Sequence, residues 1–309
     1  MKNVFFFLPP ATGRNTWWTY FVTLALVFSG ILGFGNIPLM LALNAKGYDP
    51  EQMEQLDMDA ISAILGQNVF FTATLFPFII GFFMLLIAFK FVHKRPVLSY
   101  FTTREKFDLN RFFTGFAVTT AILSLLFFIS YSFGHDNLVW NFKGEKFAVL
   151  LLISLFIVPF QTGFEELLFR GYLMQLFGRA TSKGIIVLLA NGILFGLLHI
   201  MNPEIIQLGW FAMVFYIMSG VFAALLTLMD DGIELSWGYH TANNFMGILL
   251  VTNQWQVFQT DALFIDSSKP SVGWDMYLIL FLCYPLLVFF FAKIYKWSSW
   301  KQRLFGKAE

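Results

Sequence analysis

Six side chains that carry charge, titrate or hydrogen-bond strongly lie inside segments that otherwise have the composition of membrane-spanning helices. They are Glu165, Glu166, Arg170, His199, His240 and Asn244. An Asp, Lys or Arg at the middle of a bilayer costs roughly 2.5 to 3.5 kcal/mol on an insertion scale, and intramembrane charges usually face the protein interior and serve a function. These residues are therefore the first candidates for a functional site.

The two adjacent glutamates differ in what their own helix offers them. Glu166 and Arg170 are four residues apart, so they share one helix face as an acid–base pair in the favourable order. Glu165 points away from that face and has no partner on its own helix. We therefore expect Arg170 to hold Glu166 ionised and Glu165 to be the reactive carboxylate.

The two intramembrane histidines show the same spacing. His199 follows Phe195 by four residues, and His240 precedes Asn244 by four, so each pair presents one helix face. In the first pair the phenyl ring of Phe195 can form a wall beside the imidazole. In the second pair two side chains that carry N–H groups point in the same direction.

The position of a turn brings the first histidine to the level of the reactive glutamate. The turn centred on Ser182 lies about 17 residues from both Glu165 and His199, and antiparallel helices rise 1.5 Å per residue, so the two side chains reach a similar depth. A later span starts at the same membrane face and carries His240 and Asn244 towards them. Three helices are thus predicted to converge on one polar pocket.

The chemistry that this set supports is hydrolysis by direct attack of water. A carboxylate with a neighbouring histidine can take a proton from water, as predicted for Glu165 and His199. N–H groups from His240 and Asn244 can stabilise the oxygen that becomes negative in the transition state. The sequence shows no Gly-x-Ser-x-Gly turn and no Cys/His arrangement that would supply a protein nucleophile.

The composition of the chain sets the framework for this site. Of 309 residues, 58% are hydrophobic and 13% are charged, which predicts an all-α, polytopic integral membrane protein. A net charge of +1 gives no reason to expect nucleic acid as a partner. Apolar runs long enough to cross a bilayer predict eight spans near residues 17–43, 69–92, 112–133, 147–178, 184–201, 206–229, 233–252 and 275–297.

The distribution of cationic residues predicts the orientation. With both termini inside, 16 of the 20 Lys and Arg residues fall in inner segments and 4 in outer ones, as expected when cytoplasmic loops carry the positive charge. We therefore expect cytoplasmic termini and a location in the plasma (inner) membrane. The other two histidines, His93 and His135, are expected to be solvated, and we assign them no role.

The motif residues also resemble a known family. The patterns Glu-Glu-x-x-x-Arg (165, 166, 170), Phe-x-x-x-His (195, 199) and His-x-x-x-Asn (240, 244) are similar to those of CAAX proteases and bacteriocin-processing enzymes, also called the Abi family. The resemblance covers residues 145–255 and predicts a protease core there. Residues 1–144 are then an N-terminal region of three helices, and residues 256–309 hold the last outer loop, the final helix and a basic tail.

The resemblance implies an intramembrane glutamate protease that requires no metal or other cofactor. It implies that Glu165 activates water with His199, while His240 and Asn244 stabilise the oxyanion. Glu166, Arg170 and Phe195 would have supporting roles. The implied substrates are peptides or membrane proteins, either with a prenylated CAAX-like end or with a leader segment.

Three alternatives remain open from the sequence. Glu165, His199 and His240 form a set that could bind catalytic zinc, although no His-Glu-x-x-His helix is present. The protein could instead be a non-catalytic bacteriocin-immunity or scaffold protein. Transport is the third alternative, but the chain shows none of the matched interrupted helices that are typical of transporters.

Overall fold

The computed structural model describes residues 5–134 and 136–307. Helices account for most of them. The N-terminal half contains α1 (Trp17–Phe34), α2 (Ile37–Asn44), α3 (Pro50–Met53), α4 (Met58–Leu65), α5 (Gln67–Phe91), a 3-10 turn (Val97–Tyr100), α6 (Leu109–Phe133) and strand β1 (Leu138–Trp140).

The C-terminal half contains the elements that carry the candidate residues. They are α7 (Gly144–Phe156), α8 (Val158–Glu166), a first π-helix (Leu167–Leu173), α9 (Met174–Ala180), α10 (Gly184–Leu197), α11 (Pro203–Leu208), α12 (Trp210–Asp230), α13 (Glu234–Leu250), β2 (Val251–Thr252), β3 (Phe264–Asp266), α14 (Trp274–Leu278), a second π-helix (Ile279–Cys283), α15 (Tyr284–Ile294) and α16 (Trp300–Phe305).

The protein is an all-α, polytopic membrane protein, as predicted. Within the described ranges, six helical segments are long and apolar enough to cross a bilayer: Trp17–Asn44, Gln67–Phe91, Leu109–Phe133, Gly144–Ala180, Trp210–Asp230 and Met276–Ile294. The other two predicted spans correspond to α10, with 14 residues, and α13, with 17. At 1.5 Å per residue α10 rises only about 21 Å, less than a hydrocarbon core of about 30 Å. The count of eight spans therefore stays a prediction.

The outer surface of the bundle is apolar over its length. Large side chains such as Phe21, Phe128 and Phe281 are 62%, 67% and 74% exposed. A soluble monomer rarely exposes a contiguous apolar surface of this kind, whereas a bilayer covers it. These residues therefore form the surface that contacts lipid.

The core centres on the long segment 144–180. Every residue of the first π-helix is buried, and Phe164, Leu168 and Tyr172 pack into one cluster with residues of α1 and α5. Helix α13 lies close against α6, because a Cβ atom on Gly238 would sit 1.9 Å from the carbonyl oxygen of Phe112. Only glycine allows this approach, which brings α13 into the interior.

One end of the bundle, which we call the arginine-rich end, holds the N-terminal segment, the α5–α6 connection, the α12–α13 turn and α16. Hydrogen bonds tie these segments together, for example from the Thr103 amide to the Asp231 carbonyl at 3.1 Å. It also carries a set of charged groups in mutual contact, which we call the terminal ion-pair network: Arg104, Arg111, Asp230, Asp231, Glu234 and Arg303.

A small sheet lies at the opposite end, which we call the strand end. Strand β3 is central, with β1 antiparallel and β2 parallel to it. Leu138 pairs with Asp266, and Val251 pairs with Phe264. The sheet joins the α6–α7 connection to the segment after α13, which the helical reading of the sequence did not predict.

The structure corrects the prediction that His93 is solvated. Its side chain is fully buried, with Nδ1 2.7 Å from the Arg14 carbonyl oxygen and Nε2 3.0 Å from the Tyr172 hydroxyl. The carbonyl can only accept, so Nδ1 carries the proton. Burial, with a smaller contribution from the nearby Arg95 charge, lowers the pKa of His93 to about 4. The prediction for His135 lies outside the described residues.

Candidate active site

Both glutamates lie at the point where an α-helix changes into a π-helix. Helix α8 starts after a break at Ile157 and ends at Glu166, and the π-helix follows immediately. Asn191 of α10 donates from Nδ2 to the Phe169 carbonyl oxygen inside the π-helix, at 2.6 Å. Single-turn π segments inside α-helices occur frequently at functional sites. This change of winding marks the same stretch as the charged residues do.

Glu166 and Arg170 form the expected ion pair. Their closest atoms, Oε1 and Nη1, are 2.8 Å apart, and their side chains are 0% and 1% exposed. Arg170 also donates from Nη2 to the Gly220 carbonyl oxygen at 3.1 Å, and its guanidinium lies 4.5 Å from the ring centre of Phe195. Arg170 therefore neutralises Glu166 and ties it to α10 and α12.

Glu165 has different surroundings. Its Oε1 accepts a hydrogen bond from the side-chain amide of Gln161, and its Oε2 lies 3.7 Å from Nε2 of His240. In the described part of the chain no Lys or Arg side chain lies within ion-pair distance of this carboxylate. The residue is 8% exposed. Glu165 is thus a buried carboxylate that no guanidinium neutralises.

His240 lies between the two glutamates. Its Nδ1 is 2.8 Å from Oε1 of Glu166, the same oxygen that Arg170 contacts. Because a carboxylate oxygen accepts, Nδ1 carries the proton and Nε2 is the atom that faces Glu165. A carboxylate at Nδ1 both orients the ring and stabilises positive charge when it develops on it.

His199 occupies a different place from the one the spacing predicted. Helix α10 ends at Leu197, so His199 lies in the turn beyond the helix, and its Nδ1 is 2.7 Å from the Phe195 carbonyl oxygen. Its ring packs between Phe195 and Tyr216, with centroid distances of 4.5 Å to each. In the described part of the chain, the polar contact of His199 is therefore with a peptide carbonyl and not with a glutamate.

Phe195 connects the two histidines. Its ring centre is 4.5 Å from that of His199 and 6.1 Å from that of His240, so the two imidazoles are no further apart than these distances combined. The Phe195 ring is 4% exposed. The predicted wall beside an imidazole is present, and it borders both rings.

Asn244 is joined to Glu165 through Gln161. The Nδ2 atom of Asn244 donates to Oε1 of Gln161 at 3.0 Å, and the Nε2 atom of Gln161 donates to Glu165. The structure thus brings Glu165, His240 and Asn244 together. Gln161 was missed in the sequence, although a buried amide four residues before Glu165 on the same helix was a readable signal.

Contacts away from the charged groups hold α8 against α13. The hydroxyls of Thr162 and Thr241 are 2.8 Å apart, and Trp237 donates from Nε1 to the Pro159 carbonyl oxygen at 2.9 Å. The indole also lies against Gly163, where a Cβ atom would come within 2.5 Å of it. The relative position of the two helices is therefore set independently of the charged side chains.

The arrangement does not fit the predicted zinc set. Across residues 5–134 and 136–307, no group of three or more His, Cys, Asp or Glu side chains is placed to hold a metal ion. Glu165 and His240 are close, but His199 lies in a separate aromatic slot between Phe195 and Tyr216.

Comparison with known proteins agrees with this geometry. A family model described as type II CAAX prenyl endopeptidase Rce1-like matches residues 144–246. The chain is also 32% identical over 276 residues to "Uncharacterized protein YyaK" of Bacillus subtilis (strain 168). The aligned residues make up 89% of this chain and 91% of the relative. The chain belongs to the Rce1-like family. No solved structure matches it.

Membership in the Rce1-like family implies a membrane peptidase, which is a hydrolase acting on peptide substrates. All seven motif positions, from Glu165 to Asn244, fall inside the matched residues. Other polar contacts of this region were not anticipated from the sequence. Asn191 supports the π-helix, and Tyr216, which accepts from Nδ2 of Asn202 at 3.0 Å, stacks on His199.

Proposed function

We propose that this protein is an intramembrane endopeptidase in which Glu165 activates water to hydrolyse a peptide bond. The observation that carries the proposal is the difference between the two adjacent glutamates. Glu166 is neutralised by Arg170 at 2.8 Å, whereas Glu165 meets an amide and the Nε2 side of His240. A carboxylate that is kept free of a cation is available to accept a proton from water.

The two histidines are suited to different tasks because their Nδ1 atoms have different acceptors. His199 donates from Nδ1 to the Phe195 carbonyl, which directs its Nε2 away from that peptide. This supports His199 as the base that assists Glu165. His240 donates from Nδ1 to the carboxylate of Glu166, which orients its ring with Nε2 towards Glu165.

The proposed reaction starts when a water molecule gives a proton to Glu165, with His199 assisting. The water oxygen attacks the carbonyl carbon of the substrate, and the carbonyl oxygen takes up the negative charge. N–H groups of His240 and Asn244 stabilise that charge. When the C–N bond breaks, the proton held by Glu165 moves to the departing amine, so Glu165 returns to its ionised form.

Substrates are proposed from the family and from the position of the site. Glu165, His240 and Asn244 lie within helices of the membrane-spanning bundle, so the scissile bond must belong to a membrane-associated peptide or a membrane protein. A CAAX-like C-terminal peptide with a prenyl chain fits the family description, and a leader peptide without one is the second substrate class. The lipid bilayer is the surrounding medium in both cases.

A reconstituted cleavage assay tests this proposal. Purified protein in liposomes is incubated with quenched peptides, with and without a prenyl group, and Glu165→Gln is compared with the wild type. Glu145→Gln is the matched control, because Glu145 lies exposed in the first turn of α7 on the same long segment. We expect cleavage by the wild type and the control only.

Three results would overturn the proposal. Cleavage that survives in Glu165→Gln excludes Glu165 as the base. Cleavage that a chelator abolishes and zinc restores supports metal-dependent hydrolysis instead. If the wild type cleaves no peptide and Glu165→Gln keeps the cellular phenotype, the protein is a non-catalytic immunity or scaffold protein.

We also propose that the arginine-rich end faces the cytoplasm and that the protein resides in the plasma membrane. The only cysteine, Cys283, is buried, so single cysteines can be introduced at exposed Lys307 and Lys269, near opposite ends of the bundle. A membrane-impermeant maleimide should label Lys269→Cys on intact cells and Lys307→Cys only after permeabilisation. The reverse labelling pattern would contradict the proposed orientation.

A further inference from the structure

Gln161 is the side chain that joins the two halves of the candidate site. It is 2% exposed, and both ends of its amide are engaged. Nε2 donates to Oε1 of Glu165 on the same helix, and Oε1 accepts from Nδ2 of Asn244 on α13 at 3.0 Å. One amide therefore spans from the proposed base to a proposed oxyanion donor.

The chemistry of the partners fixes which way each amide points. An ionised carboxylate only accepts hydrogen bonds, so Gln161 must present its N–H to Glu165 and its oxygen to Asn244. Asn244 must then give one of its two N–H groups to Gln161, while its own oxygen accepts from Nδ2 of Asn243 at 3.3 Å. The second N–H of Asn244 is left over for a substrate oxygen.

We infer that Gln161 is a positioning residue that sets the Glu165 carboxylate and the Asn244 amide in the orientations required for water attack. The inference rests on the proposed function and adds a residue to it. Without Gln161 the Asn244 amide is free to turn and direct its oxygen at the negative charge, which would be repulsive. The same loss would leave Oε1 of Glu165 without its donor.

The role of Gln161 is separate from holding the helices together. The Thr162–Thr241 and Trp237–Pro159 contacts already fix α8 against α13, and neither involves Gln161. Replacing its amide by an apolar side chain of similar length should therefore change the orientation of two side chains more than the packing of two helices.

Gln161→Met and Gln175→Met make a matched pair for testing this inference. Gln175 is also a buried glutamine on the 144–180 segment, 1% exposed, but it binds Arg95 and Ser99 at the arginine-rich end. For peptide cleavage in liposomes we expect Gln161→Met to lower kcat by about 10- to 100-fold, as loss of an orienting partner commonly does, with KM within about twofold. Gln175→Met should keep kcat near the wild-type value.

Gln161→Glu should give a pH dependence of kcat that a purely structural role for Gln161 would not produce. When ionised, the new carboxylate faces Glu165 as a like charge and has no proton to donate. When protonated, its O–H can replace the lost N–H. The ratio of kcat for Gln161→Glu to that of the wild type should therefore rise at least fivefold between pH 7.5 and pH 5.

The outcomes separate this inference from the proposed function. If the wild type cleaves and Glu165→Gln does not, but Gln161→Met retains the kcat of Gln175→Met, the positioning role is overturned and the protease stands. A pH-independent ratio for Gln161→Glu overturns it as well. If Glu165→Gln cleaves like the wild type, the proposed function fails and the positioning inference falls with it.

Discussion

The carboxylates of the terminal ion-pair network and those of the candidate active site have different surroundings. In the terminal ion-pair network every acid contacts a guanidinium. Arg104 lies 3.2 Å from Asp230 and 3.1 Å from Glu234, and Arg303 lies 2.6 Å from Asp231. Within the site only Glu166 has such a contact, and Glu165 has none among the described residues.

This difference separates stabilisation from reactivity. A guanidinium beside a buried carboxylate offsets part of the cost of burying its charge and disfavours the uptake of a proton. A carboxylate that lacks a cation is costly to bury and therefore persists where the surrounding structure serves another purpose. The contrast supports the proposal that Glu165, and not the better-buried Glu166 beside it, is the group that reacts.

The largest expected effect is the loss of turnover when Glu165 is neutralised. Glu165→Gln should lower kcat by about 10²- to 10⁴-fold, because a positioned general base contributes that much. It should also leave the melting temperature unchanged or raise it, since an unneutralised buried charge is removed. Steady-state kinetics and thermal unfolding in detergent measure the two effects separately.

Glu234→Gln is the comparison that sharpens this result. Glu234 is a fully buried acid of the terminal ion-pair network, 3.1 Å from Arg104. Its neutralisation should lower the melting temperature and leave kcat per folded molecule close to the wild-type value. A stability loss in Glu165→Gln as large as that in Glu234→Gln would show that the two glutamates do not differ as the contrast requires.

The second effect concerns the ion pair inside the site. Arg170→Met leaves Glu166 buried without its cation, and breaking a buried pair in this way costs about 3 to 5 kcal/mol. We expect a correspondingly lower free energy of unfolding, measured by denaturant titration in micelles. Arg111→Met is the control, because Asp230 keeps its contact with Arg104.

An equal loss in the two arginine variants would contradict this prediction. In that case the cation of the site would be no more important to folding than a redundant one at the arginine-rich end. A variant that carries both Arg170→Met and Glu166→Leu should recover part of the stability, since the orphaned charge is then gone.

The third effect is a dependence of stability on pH that arises from His93. Its folded-state pKa of about 4 lies below the ordinary 6.5, so the folded protein favours the neutral ring. This contribution is fully present above pH 6.5 and is lost as the pH falls towards 4, by roughly 3 kcal/mol in total at about 1.4 kcal/mol per pKa unit.

Melting temperatures of the wild type and His93→Gln between pH 7.5 and 4 check this prediction. Glutamine keeps a polar group near the Arg14 carbonyl and the Tyr172 hydroxyl but does not titrate. The wild type should lose stability more steeply than the variant over this range. Parallel curves would mean that folding does not lower the pKa of His93.

The sequence predicts the parts of the site that depend on helical spacing and on the cost of intramembrane charge. The Glu166–Arg170 pair and the all-α membrane fold follow from these two rules alone. The position of His199 does not, because α10 ends at Leu197 and the residue lies in a turn. Spacing arguments assume that the helix continues, and no proline or glycine follows Leu197 before Pro203, which lies beyond His199.

The remaining misses have one physical cause, which is that they depend on contacts between elements distant in the chain. His93 is buried against Tyr172, a residue 79 positions away whose hydroxyl contacts Nε2 of His93. The sheet forms because β3 meets both β1 and β2 across long loops. Gln161 acquires its importance from Asn244, 83 residues away. Hydrophobicity and periodicity describe single elements and carry no information about such pairs.

The smallest expected effect comes from the ion pair on α16. Arg303 binds Asp231 through both terminal nitrogens, with distances of 2.8 and 2.6 Å, but the two side chains are 23% and 22% exposed. An ion pair that water and salt reach contributes about 1 kcal/mol or less. Arg303→Met should thus lower the melting temperature by only a few degrees, and high salt should reduce the difference.

Cleavage should be unaffected, because the contact fastens α16 to the α12–α13 turn at the arginine-rich end and leaves Glu165 and His240 untouched. If Arg303→Met instead lowers kcat as far as Gln161→Met does, the terminal ion-pair network takes part in the reaction, and the division between stabilising and reactive carboxylates is wrong.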